Sequence, residues 1–132
     1  MNIDNISQRQ TKYCHSIKNQ LAMLGHATNT ELLSVLRNTF PKLSATTVHR
    51  ATARLASRGI ISTAPPDSRN STRYDSNIVP HDHFQCLSCG LLKDTDIRDK
   101  IIPIINESIS GCNISGRLII NGTCKKCTKR RK

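Results

Sequence analysis

Apolar residues in the first half of the chain recur at helical intervals, and each run is bracketed by residues that start or stop a helix. Thr28 and Glu31 form a capping-box pattern, and Leu32, Leu33, Leu36 and Phe40 follow at helical spacing until Pro41 ends the run. Ser44 opens a second helix that the pattern carries to about Arg58, with Gly59 as a left-handed stop. At about 100° per residue, Val48, Ala51, Thr52 and Leu55 gather on one side of it. Arg50, Arg54 and Arg58 fall on the other side, with Thr46 and Thr47 near its start. Ile60 to Thr63 and Ser71 to Asp75 then read as short extended runs. The breaker-rich turn Ala64-Pro65-Pro66-Asp67-Ser68-Arg69-Asn70 joins them. Helix, helix, hairpin is the order of a winged helix-turn-helix.

The second half changes period. Val79 to Cys86 reads as extended, so His81 and His83 share one face while Cys86, of opposite parity, faces the other. Gly90 turns the chain, Leu91-Leu92-Lys93 returns it, and Asp94 brings a carboxylate towards the histidines. Isoleucines recur at helical spacing from Ile97 to Ile109, although Pro103 suits only a first turn or a kink. Leu118-Ile119-Ile120 forms a last strand leading into Cys124. The expected fold is α+β. The pattern predicts a winged helix-turn-helix over residues 1–75 and a small α/β unit over residues 76–132, ending in a basic C-terminal tail.

At 132 residues the chain has room for one modest core or two very small ones. Its formal net charge of +11 is unevenly spread. Residues 1–70 carry nine Lys/Arg against three Asp/Glu, residues 71–123 five against six, and the last nine residues six against none. A basic N-terminal half and tail fit a polyanionic partner, most simply nucleic acid. On a groove-facing helix, Arg50, Arg54 and Arg58 would reach base edges, and Thr46 and Thr47 a phosphate or a thymine methyl. Arg69 at the wing tip would contact the backbone. The chain's start carries no basic, then apolar, leader pattern, and the stretch Ile101 to Ile105 is broken by Pro103. The expectation is a cytoplasmic protein with no membrane contact.

Cysteine usage agrees with a reducing compartment. Cys86/Cys89 and Cys124/Cys127 are two Cys-x-x-Cys pairs, each able to grip one zinc ion, and together they complete a closed tetrahedral structural site. The 34 residues between the pairs require a folded element there. A disulfide framework is the alternative for six cysteines in a short chain, but it belongs to secreted proteins. Cys14 and Cys112 lie outside the pairs and read as small buried apolar residues.

These segments resemble the ferric uptake regulator family of bacterial metal-dependent repressors. The likeness is carried by Ala45-Thr46-Thr47-Val48-His49-Arg50, Arg73-Tyr74-Asp75, the run His81-Asp82-His83-Phe84-Gln85-Cys86-Leu87-Ser88-Cys89-Gly90, and Cys124-Lys125-Lys126-Cys127. It runs from about residue 10 to the end. The resemblance implies structural zinc on Cys86, Cys89, Cys124 and Cys127, and a regulatory Fe2+ or Mn2+ on His26, Asp75, His81, His83 and Asp94. It also implies that residues 1–75 are a DNA-binding domain, that residues 76–132 are a dimerisation and metal-sensing domain, and that the protein is a homodimer on an inverted-repeat operator, with no catalytic residues. Family members of the peroxide-sensing branch carry an aspartate at the position of Asp94, where iron sensors usually carry a glutamate, and Arg73-Tyr74-Asp75 resembles that branch too. In that branch peroxide oxidises a histidine ligand, and the matching positions are His26 and His81. The chain departs from the family pattern in three places. His49 replaces the usual tyrosine of the recognition helix, the Thr-Pro-Gln-Arg segment is absent near Gln10-Thr11-Lys12-Tyr13, and no histidines stand near Pro80 and Gly116 for a further metal site. Asp82 is then left without a metal role.

Iron- or zinc-responsive repression is the neighbouring reading, and a structural-zinc RNA-binding module is the rival from another class. The module predicts one metal per chain and indifference to His81→Ala. A zinc deaminase needs a Glu general base and a Pro-Cys-x-x-Cys motif, whereas Asp82 follows His81 and Gln85 precedes Cys86.

Overall fold

The structure, a computed structural model, describes residues 2–130, with side chains from residue 12 to 129. The last two residues of the basic tail, Arg131 and Lys132, therefore lie outside the described residues. The chain divides into two compact units, Met1–Ile78 and Val79–Lys132.

The first unit begins with a long helix, α1 (Asn2–Leu24), whose Ile17 and Leu21 are fully buried four residues apart. A short strand β1 (His26–Thr28) leads straight into α2 (Asn29–Leu36). Thr28 caps α2 reciprocally: its Oγ1 accepts from the Glu31 N–H at 3.2 Å, and the Glu31 carboxylate accepts from the Thr28 N–H at 3.1 Å. The helix ends at Leu36, before Phe40, because the Asn38 and Thr39 N–H groups turn to carbonyls three residues back. Phe40 still joins the core edge, its ring 5.1 Å from that of Tyr13 in an edge-to-face pair. Helix α3 (Ala45–Ser57) starts at Ser44, whose side chain accepts from the Thr47 N–H, and stops at Gly59 with φ of 71°. Val48, Ala51, Thr52 and Leu55 are buried against α1 and α2.

Two further strands, β2 (Ser62–Ala64) and β3 (Arg73–Asp75), form the hairpin, but β3 is central. It pairs antiparallel with β2 on one side and with β1 on the other. The wing loop is closed from inside. Buried Arg73 donates from Nε to the Pro65 carbonyl and from Nη2 to that of Pro66, at 2.8 and 2.9 Å.

The second unit is a three-stranded sheet in the order β5-β4-β6. Strand β4 (Asp82–Cys86) pairs antiparallel with β5 (Leu92–Thr95) and parallel with β6 (Ile119–Gly122). The parallel pairing needs a crossover, which α4 (Arg98–Ser108) supplies. Pro103 stands in the interior of α4, not its first turn, and this helix buries no residue fully. A six-residue helix α5 (Lys125–Arg130) follows β6. Cys14 is half-buried against the first core, but Cys112 is exposed rather than buried, in the irregular segment after α4.

Candidate metal centres and nucleic-acid interface

Four sulphurs converge in the second unit. Cys86 ends β4, the turn through Gly90 (φ 80°) presents Cys89, and β6 delivers Cys124 with Cys127 one helical turn on. The parallel register opposes Cys86 to Gly122, and a Cβ there would stand 3.1 Å from the Phe84 ring, which would have to give by a few tenths of an ångström to admit a larger residue. All four sulphurs lie within 4.8 Å of one another, with Cys89 and Cys124 Sγ 3.7 Å apart. Zinc–sulphur bonds of about 2.3 Å in a tetrahedron place sulphurs about 3.8 Å apart, so the set fits that ion. Cys86, Cys124 and Cys127 are buried. N–H groups of Cys124 (3.3 Å) and Cys89 (3.5 Å) point at Cys86 Sγ and pull its pKa down to about 6. Cys127 is pushed up to about 12, chiefly by its hydrogen bond to Cys124, with burial adding to this. Negative charge is favoured on one sulphur and disfavoured on its neighbour, the condition that a shared cation relieves.

On the other face of β4 the imidazoles meet a carboxylate. His83 and Asp94 are direct cross-strand partners, and His83 Nε2 lies 3.4 Å from Asp94 Oδ1. His81 Nε2 lies 3.1 Å from the same oxygen, with the two rings 4.4 Å apart. His81 Nδ1 is 2.6 Å from the Val79 carbonyl, which accepts its proton and leaves the Nε2 lone pair facing Asp94. A cation between Nε2 and Asp94, whether a metal ion or the second proton of an imidazolium, satisfies this pairing, and two imidazoles with one carboxylate suit a divalent first-row metal.

Within the first unit the β1–β3 register pairs His26 with Asp75. His26 Nε2 lies 3.2 Å from Asp75 Oδ2, and the other Asp75 oxygen accepts the Asn77 N–H at 2.9 Å. Asp75 is 2% exposed, so its carboxylate is held by named partners rather than by water.

Asp82, between the two histidines, has a role that sequence reading missed. It is buried, takes the Arg98 guanidinium at 2.9 and 3.2 Å, and accepts the Leu118 N–H at 2.8 Å. Arg98 donates its other nitrogen to the Gly116 carbonyl. Burial pushes the Asp82 carboxyl up, but the Leu118 N–H and Arg98 outweigh it and hold the group below its usual value. One ion pair thus joins β4, α4 and the segment entering β6.

On α3, Thr46, His49, Arg50 and Arg54 are exposed and Thr47 is half-buried beside the cap, its hydroxyl 2.9 Å from that of Ser44. Arg58 caps the other end, and no acidic residue lies in the helix. Arg69 is exposed in the wing turn, where Asp67 Oδ1 accepts the N–H groups of Arg69 and Ser71. Two further residues belong to this face: Asn29, next to His49, and Thr52 behind it.

A family model, the ferric uptake regulator family, matches residues 5–115. Among curated proteins, the transcriptional regulator PerR of Clostridium acetobutylicum is 41% identical over 59 residues, 42% of this chain and 41% of that protein. The match thus spans about two-fifths of that relative's length. Among solved structures, the Helicobacter pylori ferric uptake regulator superposes with a TM-score of 0.72 at 23% identity, over 89% of this chain and 80% of that one. The peroxide stress regulator of Campylobacter jejuni gives a TM-score of 0.72 at 20% identity, over 95% and 96%. At these identities the two structures establish a shared fold. Cys124 and Cys127 lie beyond the stretch that the family model matches.

Proposed function

Because this chain belongs to the ferric uptake regulator family, we propose that it is a metal-dependent DNA-binding transcriptional repressor whose signal is peroxide. In this reading the first unit reads DNA, and the second holds the protein as a dimer and senses metal. His26, Asp75, His81, His83 and Asp94 together hold a regulatory Fe2+ or Mn2+, while Cys86, Cys89, Cys124 and Cys127 hold zinc.

The observation that carries the reading is the paired Nε2 atoms of His81 and His83 aimed at one Asp94 oxygen, within 3.1 and 3.4 Å. A metal there that also drew on His26 and Asp75 would tie sensing to the orientation of the reading helices, and DNA affinity would follow its differential affinity for the closed arrangement. The dimer is supported by exposed apolar residues of the second unit, with Ile119 and Ile120 on the edge strand β6 and Ile104 and Ile109 on and just after α4. An isologous dimer pairs with an inverted-repeat operator. Four sulphurs leave a zinc ion no open position, which agrees with a regulator rather than an enzyme.

Peroxide, rather than iron or zinc, is favoured by an aspartate at position 94 and by the partial likeness to a PerR protein. Ferrous iron, when bound, would promote cleavage of the peroxide O–O bond, while the two electrons that reduce peroxide come in net from the imidazole ring. His26 or His81 then gains one oxygen atom, and the other leaves as water.

The test is duplex binding by the Mn- and Fe-loaded protein before and after peroxide, with peptide mass spectrometry. The expected result is release of DNA by the iron form alone, with one oxygen added to His26 or His81. If both forms stay bound, the peroxide reading fails and iron-responsive repression replaces it.

A further inference from the structure

His49 stands exposed on α3, with its side chain against that of Asn29, the first residue of α2. Asn29 Nδ2 lies 3.3 Å from His49 Nδ1. The other end of that amide is held from behind, where Asn29 Oδ1 lies 2.8 Å from the hydroxyl of the fully buried Thr52. Thr52 has one proton to give. Its carbonyl alternatives, Val48 and His49, are both at 3.1 Å, so the shorter bond to Asn29 takes it.

The hydrogen-bond directions then form a chain. Thr52 donates to Asn29 Oδ1, which turns the amide nitrogen towards His49. An amide nitrogen only donates, so His49 Nδ1 must accept. The proton of the neutral imidazole is thereby placed on Nε2, and the outward edge of the ring is a donor. A donor in the major groove selects an acceptor; of those the groove offers, N7 is present on both purines, while O6 and O4 belong to guanine and thymine alone.

We propose that Thr52 and Asn29 are positioning residues that fix the tautomer of His49, making it a specificity-determining residue that reads a purine N7. This rests on the DNA-reading proposal above, and the test separates the two. Two readouts are needed. Long-range 1H–15N spectra of the free protein at about pH 8, where an ordinary imidazole is neutral, report the His49 tautomer directly. Duplex binding with 7-deazapurine placed at each purine in turn reports loss of a single N7 acceptor.

The expected result for the unmodified protein is His49 protonated on Nε2 alone, and one position per half-site where 7-deazapurine weakens binding about fivefold, as loss of one ordinary hydrogen bond implies. Asn29→Ala, and the shape-preserving Thr52→Val, should give mixed tautomers and shrink that penalty while leaving penalties at other positions unchanged. A purely structural role would lower all positions together. A proton on Nδ1 in the unmodified protein, meaning the amide is turned over, overturns the inference. So does binding that no single 7-deaza substitution weakens. If no duplex binds at all, the DNA-reading proposal falls and takes this inference with it.

Discussion

Asp82 shows how much a single buried side chain does in the second unit. Its carboxylate is satisfied by Arg98 and the Leu118 N–H, so Asp82→Asn leaves a partly buried guanidinium without its counter-charge. The cost should be about 3 kcal/mol, read as a lower urea midpoint for the full chain. The folded-state pKa is depressed, so the group's contribution is present above its unfolded value and lost as pH falls through the folded one. The unmodified protein should therefore lose stability below about pH 4, and the Asn variant should lose less over that range. From the sequence alone, Asp82 could only be called spare. Its partner lies 16 positions away across a crossover, and no local pattern relates Asp82 to Arg98. The cysteines and the His81/His83 pair were legible because their chemistry repeats at short, fixed spacings.

Elements were legible where periodicity and caps coincided. The helices α2 and α3 both start at the expected residues, since Thr28 and Ser44 satisfy otherwise unpaired N–H groups and a full apolar stripe follows. The apolar pattern does not mark α1, whose stripe of Tyr13, Ile17 and Leu21 is narrow in an otherwise polar segment. Nor did it find β1 or α5, because three- and six-residue elements are too short to show a period. These form through their surroundings, β1 by pairing with β3 and α5 beside the thiol cluster. Pro103 sits in α4 against local preference, and its missing N–H leaves the Asp99 carbonyl without its helical donor. Pro103→Ala should stabilise the chain by about 1–3 kcal/mol, measured by urea unfolding at matched metal content.

Across the whole chain, charge and apolar surface are segregated. Residues 1–70 hold a large basic excess, while residues 71–123 are near neutral and, among the described residues, carry all the exposed isoleucines but Ile60. If Arg50 touches phosphate, Arg50→Ala should lower the slope of log affinity against log salt by about 0.9 for each contact removed, or about 1.8 for a dimer. If it touches a base, the loss will depend on operator sequence and leave that slope unchanged. Ile119→Asp with Ile120→Asp should convert the protein to a monomer in sedimentation experiments while leaving the first unit's fold intact by circular dichroism. A dimer that survives both charges would move the proposed interface away from β6.

The parallel pairing of β4 with β6 also sets an order of assembly. Cys86 and Cys89 are placed by a local hairpin, but Cys124 and Cys127 reach them only after a 34-residue excursion through β5 and α4 has closed. Closing a loop of that length costs about 3 kcal/mol in chain entropy before any sulphur meets its partners. Zinc that binds late holds shut a circuit already completed by the polypeptide, whereas zinc that binds early must wait on one pair of thiols. Refolding followed in time should therefore show the β4–β5 hairpin first, zinc uptake last, and a rate of uptake set by α4 rather than by zinc concentration.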